Sequence, residues 1–125
     1  MPLRGVTVLV VEDDPDSRET TGLLLQHLGA HVVTVENGDR GLAAVLLHQP
    51  DLALVDLVMP EMDGFEFARR IRSDPKYRGV RLVALTGLRD EASVLKTWSV
   101  GFDGHLTKPV TEEGLDLLSR FTVRH

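Results

Sequence analysis

Acidic side chains lie where predicted buried strands end, and they are the main candidates for chemistry in this 125-residue chain. Glu12, Asp13 and Asp14 follow the apolar run VTVLVV, and Asp56 follows the apolar run LALV. Because the carboxyl ends of parallel strands meet at one edge of a sheet, we expect these side chains to lie close together. Two carboxylates about 4 Å apart repel by roughly 4 kcal/mol at an effective dielectric constant near 20, so the cluster needs a counter-ion or a raised pKa. A hard divalent cation such as Mg²⁺, which prefers oxygen ligands, meets that need.

Thr86 and Lys108 end two further predicted strands and add complementary chemistry at the same edge. A lysine ammonium can pair with Asp56 or with phosphoryl oxygens, and a threonine hydroxyl can donate one hydrogen bond. A carboxylate fixed on a strand suits nucleophilic attack on phosphorus, which depends mainly on positioning and charge neutralisation. Taken separately, Lys108 could be a solvated lysine and Thr86 a turn residue. Taken together, strand ends with complementary chemistry favour a site for phosphoryl transfer.

The consecutive acidic residues also have a purely structural explanation. They could cap the following helix and interact favourably with its dipole, and Asp14 before Pro15 fits the N-cap and first helical positions. Asp56 differs because it lies within PDLALVDLVMPEMDG, where Pro60 and Gly64 shape a loop before the next helix. An apolar strand therefore delivers this carboxylate to a defined place.

Short β-branched runs alternate with longer helical patterns along the chain. Strands are predicted at Val6 to Val11, His31 to Val35, Asp51 to Val55, Val80 to Leu85 and Gly104 to Leu106. The runs VTVLVV, LALV and VRLVAL are nearly continuous, as is typical of parallel strands covered by helices on both faces. The pattern predicts a βα unit repeated five times around a central parallel sheet.

Cap and stop residues delimit the predicted helices. The first runs from Pro15 to Leu28 with Gly29 placed to end it, and Asn37 or Asp39 begins the second, which runs toward His48. Further helices are predicted at Gly64 to Arg72, Asp90 to Ser99 and Thr111 to Phe121. With no repeat or linker in view, residues 1–125 are expected to form a single domain with its core over residues 6–121.

Composition argues against several classes of function. The net charge is −5 and the Lys and Arg residues are scattered, which disfavours direct binding to nucleic acid. The chain has no Cys, no apolar run near the roughly 20 residues that span a bilayer, and no signal-peptide pattern in its start MPLRG. We therefore expect a cytoplasmic protein that does not bind a membrane.

At the level of motifs, VLVVEDDP, PDLALVDLVMPEMDG, ALTG and LTKP resemble, in order and spacing, the receiver domains of two-component response regulators. The resemblance covers residues 6–121 and implies an α/β fold, a flavodoxin-like (βα)5 three-layer sandwich with strand order 2-1-3-4-5. It implies that Asp56 is the phosphoacceptor, Thr86 the switch hydroxyl and Lys108 the lysine of the site, with a cis peptide to Pro109. The Mg²⁺ ligands that it implies are oxygens of Glu12, Asp13 and Asp56 and the backbone carbonyl of Val58.

The same resemblance implies partners. The phosphoryl donor is the phosphohistidine of a histidine kinase, in cis or in trans, or a small acyl phosphate. A phosphotransfer domain is a further partner, as an acceptor if the chain is the receiver of a hybrid kinase. The resemblance also implies that the chain is not an enzyme acting on a separate substrate, because it catalyses only its own phosphorylation and dephosphorylation. A downstream protein contacts the face formed by the fourth helix, fifth strand and fifth helix, and the chain is a monomer or a phosphorylation-dependent dimer. Whether it acts alone or belongs to a hybrid kinase stays open.

Two residues on that face depart from the family pattern. His105 stands where many members have Tyr or Phe, so it either moves inward like that aromatic ring, with sensitivity to pH, or is an ordinary half-exposed strand residue. Trp98, the only tryptophan, either packs into the core or contacts a partner. Both changes suggest a particular partner.

Alternative functions conflict with the residues beside Asp56 and Thr86. A phosphatase of the haloacid dehalogenase class needs an acid two residues after its nucleophile, where this chain has Val58, and no glycine-rich nucleotide motif is present. An interaction module of receiver fold that is never phosphorylated is the remaining rival. Since neither Val58 nor Leu88 can orient an attacking water, we predict a long-lived phosphorylated form.

Overall fold

The computed structural model describes residues 2–87 and 91–122 and contains a parallel five-stranded sheet. The strand order β2-β1-β3-β4-β5 confirms the predicted flavodoxin-like topology. The strands are β1 (Thr7–Val11), β2 (His31–Val35), β3 (Leu52–Asp56), β4 (Arg81–Thr86) and β5 (Gly104–Thr107). Strand β3 is buried along its whole length, which explains why its sequence is apolar without alternation.

Helices cover both faces of the sheet, and the first two begin at predicted cap residues. The helices are α1 (Pro15–His27), α2 (Gly38–His48), α3 (Gly64–Arg72), α4 (Glu91–Ser99) and α5 (Glu112–Thr122). Asp14 accepts a hydrogen bond from the Ser17 amide at 2.9 Å, and Asn37 accepts one from the Arg40 amide at 2.8 Å. Asn37 rather than Asp39 is therefore the cap of α2. Position 90, the predicted start of α4, lies outside the described residues.

A short 3-10 helix, Pro75–Tyr77, was not predicted. Asp74 caps it by accepting a hydrogen bond from the Lys76 amide at 3.1 Å. The sequence does carry the signal, because Asp followed by Pro is typical of an N-terminus. No helix among the described residues is long and apolar enough to cross a bilayer.

Two apolar layers form the core, one on each face of the sheet. On one face, Leu9 and Val55 pack with Phe67 of α3, and on the other, Val10 and Leu54 pack in a second cluster of buried side chains. Successive residues of a strand point to opposite faces, so adjacent apolar residues supply different layers. Because both faces of the sheet are buried, the groups available for function lie at the ends of the strands.

The amino edge of the sheet is tied together by Arg72, the last residue of α3. Its guanidinium donates to the carbonyl of Gly101 at 2.9 Å and to the carboxylate of Asp103 at 2.8 Å. Asp103 also accepts a hydrogen bond from the Leu82 amide at 2.8 Å, so one arginine joins α3, β4 and the segment before β5. Gly101 has φ of 103°, and an added Cβ would lie 2.5 Å from Arg72 Cγ, so this close approach requires glycine.

Candidate functional site

The carboxyl edge of the sheet collects the acidic residues, as the sequence predicts. Val11 pairs with Val55 across β1 and β3, so Glu12 and Asp13 follow one strand beside Asp56, which ends the other. Glu12 is fully buried, Asp56 is 4% exposed and Asp13 is exposed. One carboxylate oxygen from each of the three lies within 4.8 Å of the others. The structure thus brings the three carboxylates into one cluster.

Lys108 supplies a positive charge to this cluster. Its Nζ lies 2.6 Å from Glu12 Oε1 and 3.1 Å from Asp56 Oδ2, and its side chain is 27% exposed. The Lys108 amide donates to the Thr86 carbonyl at 2.9 Å, and the peptide bond to Pro109 is cis, as predicted. The Lys108 ammonium therefore lies between two carboxylates of the cluster.

Burial and charge change the proton affinities of Glu12 and Lys108. Burial, then the neighbouring Asp56 carboxyl, raise the pKa of Glu12 to about 7, against the opposing effect of the Lys108 ammonium. Burial by itself lowers the pKa of Lys108, but its hydrogen bonds to Glu12 and Asp56 outweigh that effect, and the net pKa is raised. The lysine is therefore a permanent cation at neutral pH, and the cluster has more acidic groups than cations.

The donor set of the cluster fits a divalent cation. Three carboxylates converge on one region, and hard cations such as Mg²⁺ and Ca²⁺ prefer oxygen ligands of this kind. Glu12 Oε1 is buried, and its charged neighbour is the Lys108 ammonium at 2.6 Å. A bound cation would relieve the repulsion between the carboxylates, for which one lysine does not compensate fully.

The loop after β3 holds Asp56 from the other side. The Val58 amide donates to Asp56 Oδ1 at 3.2 Å, whereas the Val58 side chain is 68% exposed. The Gly64 amide donates to the Leu57 carbonyl at 3.2 Å, and an added Cβ on Gly64 would lie 2.5 Å from the carbonyl oxygen of Asp56. The start of α3 therefore packs directly on the backbone of the nucleophile candidate, and only glycine allows that approach.

Thr86 lies at the same edge, as predicted. It is buried at the end of β4, where Leu85 pairs with Asp56 and Thr86 pairs with Thr107 of β5. This register places the threonine one residue beyond the direct neighbour of Asp56. Leu88, predicted to flank the site, lies outside the described residues.

Asp14 and Arg18 lie near the site and have different roles in the structure. Asp14 is exposed and acts as the helix cap, and the Ser17 hydrogen bonds lower its pKa. Arg18 was not singled out from the sequence, yet its Nη1 donates to the carbonyl of Glu12 at 2.9 Å. Its position four residues after the cap, where a helical side chain can reach back to the loop, is the signal that could have found it.

His105 of β5 and Trp98 of α4 lie together on the surface. Their ring centroids are 6.4 Å apart in an edge-to-face arrangement, and the Trp98 side chain is 49% exposed. His105 is exposed rather than turned inward. Leu95, one helical turn before Trp98, is exposed as well. The Trp98 ring is therefore not a core residue, which leaves an exposed aromatic and apolar patch on α4 and β5.

Comparisons with known proteins agree with this geometry. A family model described as the response regulator receiver domain matches residues 8–119. Protein PilH of Pseudomonas aeruginosa is 33% identical over 110 residues, which cover 86% of this chain and 89% of PilH. The chain spans only 46–51% of the length of several transcriptional regulators that it also matches.

Solved structures give the same result. Chemotaxis protein CheY4 of Vibrio cholerae superposes with a TM-score of 0.88 at 29% identity, over 94% of this chain and 98% of CheY4. The receiver domain of sensor histidine kinase PA1611 from Pseudomonas aeruginosa, which has a magnesium ion coordinated in its active-site cleft, superposes with a TM-score of 0.85 at 26% identity, over 94% of this chain and 96% of that domain. With the strand order and the acidic cluster, these matches show that the chain belongs to the response regulator receiver domain family of two-component signalling.

Proposed function

We propose that this receiver domain accepts a phosphoryl group on Asp56 and signals through the resulting change of shape. The observation that carries the proposal is the environment of Asp56, a nearly buried carboxylate at the end of a central strand. It lies 3.1 Å from the Lys108 ammonium and in one cluster with two further carboxylates. Few structural roles require a charged side chain in such a place, because burying several acidic groups together is costly.

Mg²⁺ is the cation that we propose for the cluster. Oxygens of Glu12, Asp13 and Asp56 and the Val58 backbone carbonyl would hold it, with water completing the coordination. The similarity to the PA1611 receiver, whose cleft coordinates magnesium, supports this choice. When bound, the ion neutralises charge on the phosphoryl oxygens and holds them for in-line transfer.

The residues of the chain account for the transfer step. An Asp56 carboxylate oxygen forms a bond to phosphorus while the bond from phosphorus to the donor breaks, and the donor histidine nitrogen keeps the electron pair. Lys108 stabilises the phosphoryl charge, and the Thr86 hydroxyl and the Val58 amide can donate hydrogen bonds to its oxygens. Asp56 thereby becomes an acyl phosphate whose charge is about −2.

The donor that we propose is a histidine kinase, in cis or in trans, which a small acyl phosphate can replace, and a phosphotransfer domain is a further partner. The domain catalyses only its own phosphorylation and dephosphorylation. It acts in the cytoplasm, as a monomer or as a dimer that forms on phosphorylation. Neither a membrane nor nucleic acid is a direct partner.

The output surface that we propose is the face formed by α4, β5 and α5. Trp98 and His105 lie on it in mutual contact, and Leu95 adds exposed apolar area. Aromatic residues are enriched where proteins bind one another. Phosphorylation would act on this face through Thr86 and Lys108, which lie at the ends of β4 and just beyond β5.

Acetyl phosphate and intact-mass spectrometry test the proposal. The protein is incubated with acetyl phosphate and Mg²⁺, beside Asp56→Asn and beside Asp39→Asn, which makes the same chemical change at an exposed position of α2. We expect one added phosphoryl group in the wild type and in Asp39→Asn, none in Asp56→Asn, and none in EDTA. A folded wild type that gains no mass from acetyl phosphate or from histidine kinases would instead support an interaction module that is never phosphorylated.

A further inference from the structure

Arg18 contacts the loop that carries the first two acidic residues of the cluster. It lies half-buried in the first turns of α1, and its Nη1 donates to the Glu12 carbonyl at 2.9 Å and approaches the Asp13 carbonyl at 3.4 Å. Both contacts are with the backbone of residues whose carboxylates face the candidate metal site. The arginine therefore touches the residues of the site without occupying a carboxylate oxygen.

Arg18 bonds to backbone carbonyls although carboxylates lie close by. The planar fork of arginine matches a carboxylate, and several carboxylates lie at the same edge of the sheet. Within the described part of the chain, however, Arg18 bonds to carbonyls, whereas Lys108 pairs with Glu12 and Asp56. Lys108 thus neutralises the carboxylate side chains, whereas Arg18 contacts the peptide carbonyls of the loop.

The loop needs such a fixed backbone. The Glu12 amide donates to the Val35 carbonyl at 3.1 Å, and the Asp14 amide donates to Glu12 Oε2 at 3.3 Å. The Asp13 side chain is exposed, so little packing orients it. The direction of its Cα–Cβ bond is set by the peptide planes on either side, and Arg18 contacts the carbonyls of those planes.

We propose that Arg18 is a positioning residue for the divalent cation. By holding the Glu12 and Asp13 carbonyls, it orients both carboxylates so that they bind the metal together with Asp56. This inference rests on the proposed function, since it assumes that the cluster binds Mg²⁺. Removal of groups that orient metal ligands typically lowers metal affinity about 10–100-fold.

If Arg18 acted through its charge alone, its removal would have the opposite effect on Mg²⁺ affinity. A guanidinium near the cluster repels a second cation, so deleting its charge without disturbing the loop would tighten Mg²⁺ binding. Arg18→Lys keeps the charge, but a lysine ammonium lies one bond nearer the backbone than Nη1, the atom that contacts both carbonyls. The two substitutions therefore separate positioning from electrostatics.

Isothermal titration calorimetry with Mg²⁺ alone tests the proposal on the metal-free wild type, Arg18→Met, Arg18→Lys and Arg70→Met. Arg70 is the matched control, because it is an exposed arginine of α3 paired with Glu66 at 2.9 Å. We expect Kd to rise about 10-fold or more in Arg18→Met and to rise in Arg18→Lys as well. In Arg70→Met it should stay within about 2-fold, since exposed pairs contribute little.

Unchanged affinity in both Arg18 variants, or tighter binding in Arg18→Met with a normal Arg18→Lys, would overturn the positioning role. A wild type that binds no Mg²⁺ would refute the metal site of the proposed function itself. In that case amide hydrogen exchange of residues 12–14 in the metal-free protein decides the inference. Faster exchange in both Arg18 variants at unchanged Tm supports loop positioning, and unchanged exchange refutes it.

Discussion

Substitution of Gly64 by alanine tests whether the start of α3 must pack against the backbone of Asp56. The added Cβ would lie 2.5 Å from the Asp56 carbonyl oxygen and 2.9 Å from Leu57 Cα, closer than real Cβ contacts. Both neighbours are backbone atoms, so relief requires a shift of the helix or of the loop rather than a side-chain rotation. Overpacking of this kind costs about 1–3 kcal/mol.

The expected change in melting temperature follows from the chain length. An unfolding entropy of about 2.1 cal/mol/K per residue gives about 0.26 kcal/mol/K for 125 residues. Gly64→Ala should therefore lower Tm by about 4–11 °C. Because misplacement of a reacting group by about 1 Å can cost 100-fold in rate, phosphorylation of the folded variant by acetyl phosphate should slow by more than its loss of stability explains.

Thermal unfolding followed by circular dichroism, together with initial phosphorylation rates well below Tm, measures both effects. Gly79→Ala is the control, because a Cβ added there meets no atom within 4 Å. It should be neutral or stabilising by up to about 1 kcal/mol. If Gly64→Ala melts and reacts like Gly79→Ala, the close approach does not constrain Asp56 and the reasoning is wrong.

Three further predictions concern other parts of the site and its support. Val58→Asn should shorten the lifetime of the phosphorylated protein at nearly unchanged Tm, because an amide can orient water and the Val58 side chain is 68% exposed; fast loss from the wild type without acceleration in the variant would contradict this. In metal-free protein kept in EDTA, the pKa of Glu12 is about 7 in the folded state and 4.5 in the unfolded chain. Protonated Glu12 therefore adds most to the free energy of unfolding below about pH 4.5, and this contribution is lost as pH rises through 7. Urea unfolding should therefore show the wild type losing stability relative to Glu12→Gln between about pH 5 and about pH 8, and a constant difference would argue against the raised pKa. Gly101→Ala should cost at least about 1–3 kcal/mol by urea unfolding, because its φ of 103° disfavours other residues and its Cβ would meet Arg72.

The fold was largely predictable because local signals and burial agree. Continuous apolar runs predicted strands covered on both faces, and Asp14 with Pro15 located the start of α1. The strand bounds differ by about one residue. The predicted first residue of β3, Asp51, instead lies just before it, where its carboxylate accepts a hydrogen bond from the Thr7 amide at 2.9 Å.

The composition of the site was predictable, but its supporting contacts were not. Glu12, Asp56 and Lys108 follow from the rule that strand ends share an edge. The roles of Arg18 and Gly64 depend instead on how a helix meets a neighbouring loop at atomic distance. No periodicity encodes such a contact, because it depends on the packing of several segments together.

The ties made by Arg72 have a mechanical consequence for signalling. They fasten the end of α3 to the segment between α4 and β5, at the edge opposite Asp56. If α4 and β5 move on phosphorylation, the segment that Arg72 holds acts as a pivot, and the displacement of α4 grows with distance from that segment. Distance labels at each end of α4 would then report a large change near the phosphorylated edge and little near Gly101. The domain would work as a lever with one fixed end.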